Sequence, residues 1–291
     1  FILFKEFIIK LIIHIGTHKT ASTSFQALCS SSRSVLISNG ILFPQYSNWH
    51  QHSFAAHLSQ KKDTNSLSDF MRSIFNETID ENCSATIISG EDFENFLIDT
   101  HLAFEFEMLA KSAGYSEIEW IVIQRDPIEY LLSIYSEKSG YGMVLDLGIM
   151  ANSILKYGFF SASTSNYNYK FVFDINKFSE FFKSNVNPNL KVINFHKFID
   201  DFVGKAVLAS FVDETSLKKL RLKSQNIGIK RKRPSKQKVE LRYVANFLGM
   251  KPDKNFYESN TNLVDSLITH RLNRNKSLLS EIEIIFKEKF Y

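Results

Sequence analysis

The stretch LIIHIGTHKTASTSFQAL runs from Leu11 to Leu28. A continuous apolar run, Leu11–Ile15, meets Gly16. A basic centre follows at His18 and Lys19, then small or hydroxyl residues from Thr20 to Ser24. The run is short and rich in isoleucine, which reads as a strand buried on both faces. From about Ala21 the apolar residues return at helical spacing. A strand that passes through a glycine and a small-residue turn into a helix is a building block of α/β folds. The first amides of the new helix have no partner within it, and its dipole adds partial positive charge there. Lys19 adds a full charge, and small side chains let an anion come close to the backbone. The segment therefore reads as a cradle for a phosphate or sulfate group.

The same grammar recurs along the chain. ATIIS (Ala85–Ser89), EWIVIQ (Glu119–Gln124) and KVINF (Lys191–Phe195) read as further buried strands. Helical patterns cover Ser66–Thr78 and Leu102–Ala113, the second closed by Gly114. Pro127–Lys138 has Asp126 as its cap and proline in its first position. Asn176–Ser184, His196–Phe211 and Val264–Lys289 complete the set. Strands alternating with helices predict a mainly parallel central sheet flanked by helices on both faces. SASTSNYNY (Ser161–Tyr169) and the basic stretch around Gly228 read as irregular. No internal repeat or long linker interrupts the chain. The expectation is one domain over 1–291, with a core over about 11–233 and a helical extension over about 234–291.

Composition narrows the class. The chain has 291 residues, is 44% hydrophobic, and carries a net charge of +4. That is enough apolar content for a large core, and too little charge for a polyelectrolyte binder. The positives are clustered, however. Lys218–Arg242 holds 11 Lys/Arg and one acid, net +10, which leaves −6 for the rest. Such a cluster suits an anionic ligand or an exposed basic loop. Two cysteines, Cys29 and Cys83, make no disulfide framework or zinc spacing. In the opening FILFKEFIIKLIIHIG, Lys5, Glu6 and Lys10 interrupt the apolar run, and no small-residue cleavage site follows. We therefore expect no signal peptide, no transmembrane segment and a cytoplasmic location.

The cradle is not a nucleoside triphosphate loop of the G-x-x-x-x-G-K-[ST] kind, because Lys19 precedes the small-residue turn instead of following a second glycine. The loop HIGTHKTASTSFQ resembles the 5′-phosphosulfate loop of sulfotransferases that use 3′-phosphoadenosine 5′-phosphosulfate (PAPS). It is most similar to a bacterial branch whose loop reads HIG-x-HKT-G-[ST]-[ST]-S. The departure is Ala21, where that family usually has glycine. An added methyl disfavours a left-handed backbone. A second motif, WIVIQRDPIEYLLSIYSE (Trp120–Glu137), is similar to the family's 3′-phosphate site, with Arg125 at a strand end and Ser133 two helical turns on. GILFPQYSNWHQHSFAAHL, IISGEDF, VINFHKFIDD and SQNIGIKRKR resemble further family segments more loosely.

The resemblance implies a P-loop-like three-layer fold and transfer of a sulfuryl group from PAPS to a hydroxyl or amine, leaving PAP, with no metal required. It implies cofactor contacts from His18, Lys19, Thr20, Ala21, Ser22, Thr23, Ser24, Arg125, Ser133 and Lys230. Lys19, His52 and Glu91 are the catalytic candidates, His52 or Glu91 taking the acceptor's proton. His50 and His57 lie near His52, and His18 has a structural or an anion-donating role open to it. The implied acceptor is a carbohydrate or glycolipid, with no specific nucleic acid partner; the reading leaves oligomeric state open. Two other classes stay open on the residues alone. One is a kinase with a degenerate loop and Glu91-Asp92 as metal ligands. The other is an inactive anion-binding homologue or a nucleic-acid binder using IKRKRPSKQK.

Overall fold

The computed structural model describes residues 8–45, 51–163, 167–227, 234–250, 256 and 261–291. The chain forms two compact units. The first comprises 1–125 and 161–230, and the second 126–160 and 231–291.

The first unit is built on five parallel strands: β1 (Lys10–Ile15), β2 (Ile41–Leu42), β3 (Ala85–Gly90), β4 (Glu117–Gln124) and a late strand over Leu190–Asn194. Their order is β2-β3-β1-β4 and then the late strand. All four expected strands are present, each within a residue or two of the expected ends. Alternation along them sends side chains to two separate cores. Leu11, Ile13 and Ile15 of β1 join Ile118, Trp120 and Val122 of β4 on one face. Ile12 joins Ile121 and Ile123 on the other. Helices cover both faces, because strands apolar on both sides expose too much surface if either is bare. The first core is closed by α3 (Ser53–Gln60), α4 (Thr64–Asp80), a 3₁₀ turn (Asp92–Leu97) and α5 (Thr100–Ala113). The second is closed by α1 (Ser22–Ser31), α2 (Arg33–Ile37), the short helices Phe195–Ile199 and Lys205–Leu208, and the 14-residue helix Glu214–Ile227. The fold is α/β in three layers, as expected from the sequence.

Two local expectations differ from the structure. The apolar stripe over His196–Phe211 is not one helix. It divides into Phe195–Ile199 and Lys205–Leu208. Asp200 is extended, Asp201 has φ of 62° and Gly204 has φ of 85°, so the helical path ends there. The reason is packing. A Cβ on Gly204 would lie 2.2 Å from the Phe25 ring, so the chain makes a close approach to α1 that only glycine permits. The stripe itself is buried, through Phe198, Phe202, Val207 and Leu208. Ser161–Tyr169 is also less irregular than expected, since Phe159–Ser163 and Asn168–Val172 form a two-stranded sheet around 164–166, which lie outside the described residues.

The second unit is helical. It contains Pro127–Ser139, Leu147–Tyr157, Lys236–Phe247 and a 30-residue helix over Thr261–Phe290. Asp126 caps the first of these by accepting from the Glu129 N–H at 2.8 Å, and Pro127 opens it, as the sequence predicts. A separate apolar cluster joins Val244, Ala245, Phe256, Val264 and Ile268. Among the described residues, no helix is long and apolar enough to cross a membrane.

Candidate functional site: the loop between the first strand and its helix

The segment after β1 is a tight, internally bonded loop. Gly16 has no room for a side chain: a Cβ there would sit 2.2 Å from Ser22 Oγ and 2.7 Å from Ser22 Cβ. The Thr17 hydroxyl donates to the Ile123 carbonyl of β4 at 2.7 Å, tying the loop to the neighbouring strand. Thr20 donates to the Thr17 carbonyl, and Ser22 to the Gly16 carbonyl at 3.2 Å. These two hydroxyls are buried and their protons are used inside the loop. The expectation that Thr20 and Ser22 offer hydroxyl donors to an anion is therefore corrected, because a hydroxyl has one proton to give. They shape the loop instead. Thr23 is exposed and Ser24 half-buried.

The backbone answers the question raised by Ala21. Lys19 has φ of 65° and Ala21 φ of 62°, both left-handed. Ala21 precedes the helix as its N-cap, and no side chain caps that end. The first-turn amides of Ser22 and Thr23 thus keep the unpaired character that suits an anion. Lys19 is half-buried, and among the described residues no carboxylate pairs with it.

Arg125 comes to the same loop from the end of β4. Its Nη1 donates to the Lys19 carbonyl at 2.7 Å, and its guanidinium lies over the Phe195 ring at 4.9 Å. Two residues 106 apart in sequence are thereby joined. Ser133 belongs to the second unit, where it is buried on Pro127–Ser139. Lys230 lies outside the described residues.

An acid and imidazole cluster flanks the loop on the side of β3. His18 is 5% exposed, with Nδ1 3.2 Å from Glu91 Oε2 and Nε2 3.9 Å from Asp92 Oδ1. The His57 ring meets Asp92 Oδ2 at 2.8 Å and stacks on Tyr167 at 4.0 Å. Burial pushes the Asp92 carboxyl upward, but the His57 hydrogen bond and the nearby His18 outweigh it and hold Asp92 below the usual range. Glu91 keeps part of its side chain accessible, at 27%. Of the expected acids it is the one placed to meet a solvent-borne group.

His52 does not fit the role of base. It is fully buried, its Nδ1 accepts from the Ser89 N–H at 3.0 Å, and its Nε2 donates to the Pro44 carbonyl at 3.1 Å. Both nitrogens are engaged by backbone, so none is left for an acceptor hydroxyl. Burial lowers its pKa to about 4, against a smaller upward pull from the two backbone bonds. It pins the segment before α3 to β3. His50 lies outside the described residues.

Sequence reasoning missed Glu94. This carboxylate, 1% exposed, accepts from the His18 N–H at 3.2 Å and the Val172 N–H at 2.6 Å. It braces the loop against the second sheet. The acidic run GEDFEN was its only signal, and that run places three acids within four residues.

Among the described residues, no group of three metal-ligating side chains converges. No family model, curated protein or solved structure matches this chain.

Proposed function

We propose that the first unit binds a PAPS-type sulfated nucleotide and moves its sulfuryl group to an acceptor hydroxyl. The observation that carries this reading is the meeting of Arg125 with the left-handed Lys19–Ala21 turn at an uncapped helix start. The motif order of the sequence supports it independently. In this reading the amides of Ser22 and Thr23, with the Thr23 and Ser24 hydroxyls, hold the 5′-phosphate. The Lys19 ammonium stabilises charge on the leaving phosphate oxygen. Arg125, whose planar fork suits a phosphate, recognises the ribose 3′-phosphate.

The reaction balances simply. The acceptor oxygen forms a bond to sulfur as the bond from sulfur to the phosphate oxygen breaks. PAP departs with the electron pair, and the acceptor's proton passes to the Glu91 carboxylate. His18, 3.2 Å from Glu91, orients that carboxylate. The acceptor class favoured by the family resemblance is a carbohydrate or glycolipid hydroxyl.

The test is a transfer assay with labelled PAPS and a panel of glycan and glycolipid acceptors. Lys19→Ala should keep a wild-type unfolding midpoint and lose about 10²–10³-fold in kcat, as expected for one electrostatic donor. Undiminished turnover by that variant would remove Lys19 from the mechanism.

A further inference from the structure

The second unit carries a cavity of its own, of about 70 Å³. Four helices line it, three of them with a continuous face and the fourth, Leu147–Tyr157, through Leu147 alone. Leu132, Tyr135 and Ser136 come from Pro127–Ser139. Lys236, Val239 and Glu240 come from Lys236–Phe247, and Leu272, Asn275, Lys276 and Leu279 from Thr261–Phe290. The spacings are i, i+3 and i+4, with i+7 in the longest helix, so each set is one continuous stripe. Leu132, Leu147, Val239, Leu272 and Leu279 give it an apolar wall.

One part of the wall is polar and closed on itself. The Tyr135 hydroxyl donates to Glu240 at 2.9 Å, and Arg271 Nε donates to the same carboxylate at 2.8 Å. Asn275 Nδ2 donates to Glu240 Oε1 at 2.9 Å. These bonds fix which way the Asn275 amide faces, since its nitrogen must meet the carboxylate. Burial first, and then the Glu240 charge, push the Tyr135 phenol upward, so it stays a neutral donor.

Two atoms remain outside this network. Among the described residues, Asn275 Oδ1 and Ser136 Oγ have no hydrogen-bond partner. Their residues are 6% and 4% exposed. A buried polar atom without a partner costs about 1–3 kcal/mol, so a ligand group that pairs with these two gains that free energy. Asn275 Oδ1 can only accept, whereas Ser136 Oγ has a proton to give. A hydroxyl satisfies both, donating to one and accepting from the other. Lys236 and Lys276, also in the lining, are exposed and supply positive charge at the solvent side.

We propose that this cavity is a binding site for a small amphipathic molecule. Its apolar chain lies along Leu132, Leu147, Val239, Leu272 and Leu279. A hydroxyl at one end meets Asn275 and Ser136, and an anionic group at the other meets Lys236 and Lys276. The site lies wholly within the second unit and does not depend on the nucleotide reading of the first.

The test is an amide chemical-shift titration of the full chain, using 6-hydroxyhexanoate, hexanoate and hexan-1-ol as probes. Saturable shifts should appear at the Asn275 side-chain amide and along the four lining helices. The hydroxy acid should bind about five- to tenfold more tightly than hexanoate, the range that one net hydrogen bond supplies. It should also bind more tightly than hexan-1-ol, by a margin that shrinks with added salt. Ser136→Ala should reduce the preference for the hydroxyl probe, and Ser136→Leu, which fills the cavity, should abolish binding of all three. Equal affinity of the hydroxy acid and hexanoate, or no saturable shift with any probe, overturns the proposal. The comparison between probes needs only the wild-type chain, so it stands even where Ser136→Leu fails to fold.

Discussion

At the scale of single residues, the loop after β1 holds alanine where its backbone favours glycine. Ala21 sits at φ of 62°, a region that costs a non-glycine residue roughly 1–2 kcal/mol. Ala21→Gly removes the methyl that makes this costly, while adding freedom to the unfolded chain. The net expectation is a gain of about 1 kcal/mol in unfolding free energy. Urea denaturation of the two proteins side by side checks it. A loss of stability would mean that the turn is not left-handed in solution. Buried histidines give a second residue-scale expectation. Burial lowers His14 to about 3 and His52 to about 4, from an ordinary value of 6.5. The unfolded chain therefore takes up protons below pH 6.5 that the folded chain refuses. Stability from these two groups is complete above that pH and is lost as pH falls toward 4. At pH 5 each histidine should cost about 2 kcal/mol relative to pH 7. A urea midpoint that stays flat between pH 7 and pH 5 would contradict their burial. Lys19 and Arg125 were legible as candidates in the sequence because one lies in the turn between a strand and a helix and the other follows a strand end. His52 and Glu94 were not, because their roles rest on backbone atoms far away in sequence.

Among elements, the strands were easiest to read. The first three expected strands are short apolar runs with β-branched residues, buried on both faces within the parallel sheet. The late strand departs from the expectation of burial: it ends the sheet, and Lys191 and Val192 on it are exposed. The caps at Asp126 and Gly114 were equally plain, since their chemistry is local. The segment His196–Phe211 shows where such reading ends. Its apolar spacing is helical and its buried residues are those expected, yet the backbone turns at Asp200–Gly204 to pass over Phe25. Nothing in the spacing records a contact with a side chain 179 positions earlier. Gly204→Ala tests the reason given for the break. Gly204 has φ of 85°, and a Cβ would overlap the Phe25 ring. The variant should lose about 2–3 kcal/mol of stability, from overpacking and backbone strain together. Pairing it with Phe25→Leu should recover part of that loss, which a purely local backbone effect would not allow.

On the scale of the whole molecule, charge and organisation separate. The net charge of +4 conceals a segment, 218–242, of net +10. Six of its residues, 228–233, lie outside the described structure, including Lys230. The α/β class was legible because alternation of strand and helix dictates a layered parallel sheet. The division into two units was not, because 126–160 reads as a continuation of the α/β pattern and contacts alone group it with the C-terminal helices. The anion cradle is the claim on which the functional account depends, and titration of the protein with PAP by calorimetry tests it most directly. The account predicts saturable binding of PAP without added metal, tighter than that of ATP with Mg²⁺. It predicts at least a tenfold loss in Lys19→Ala and in Arg125→Lys, the latter because an ammonium cannot reproduce the guanidinium fork. PAP binding that is absent in the wild type, or unchanged in both variants, would contradict the account.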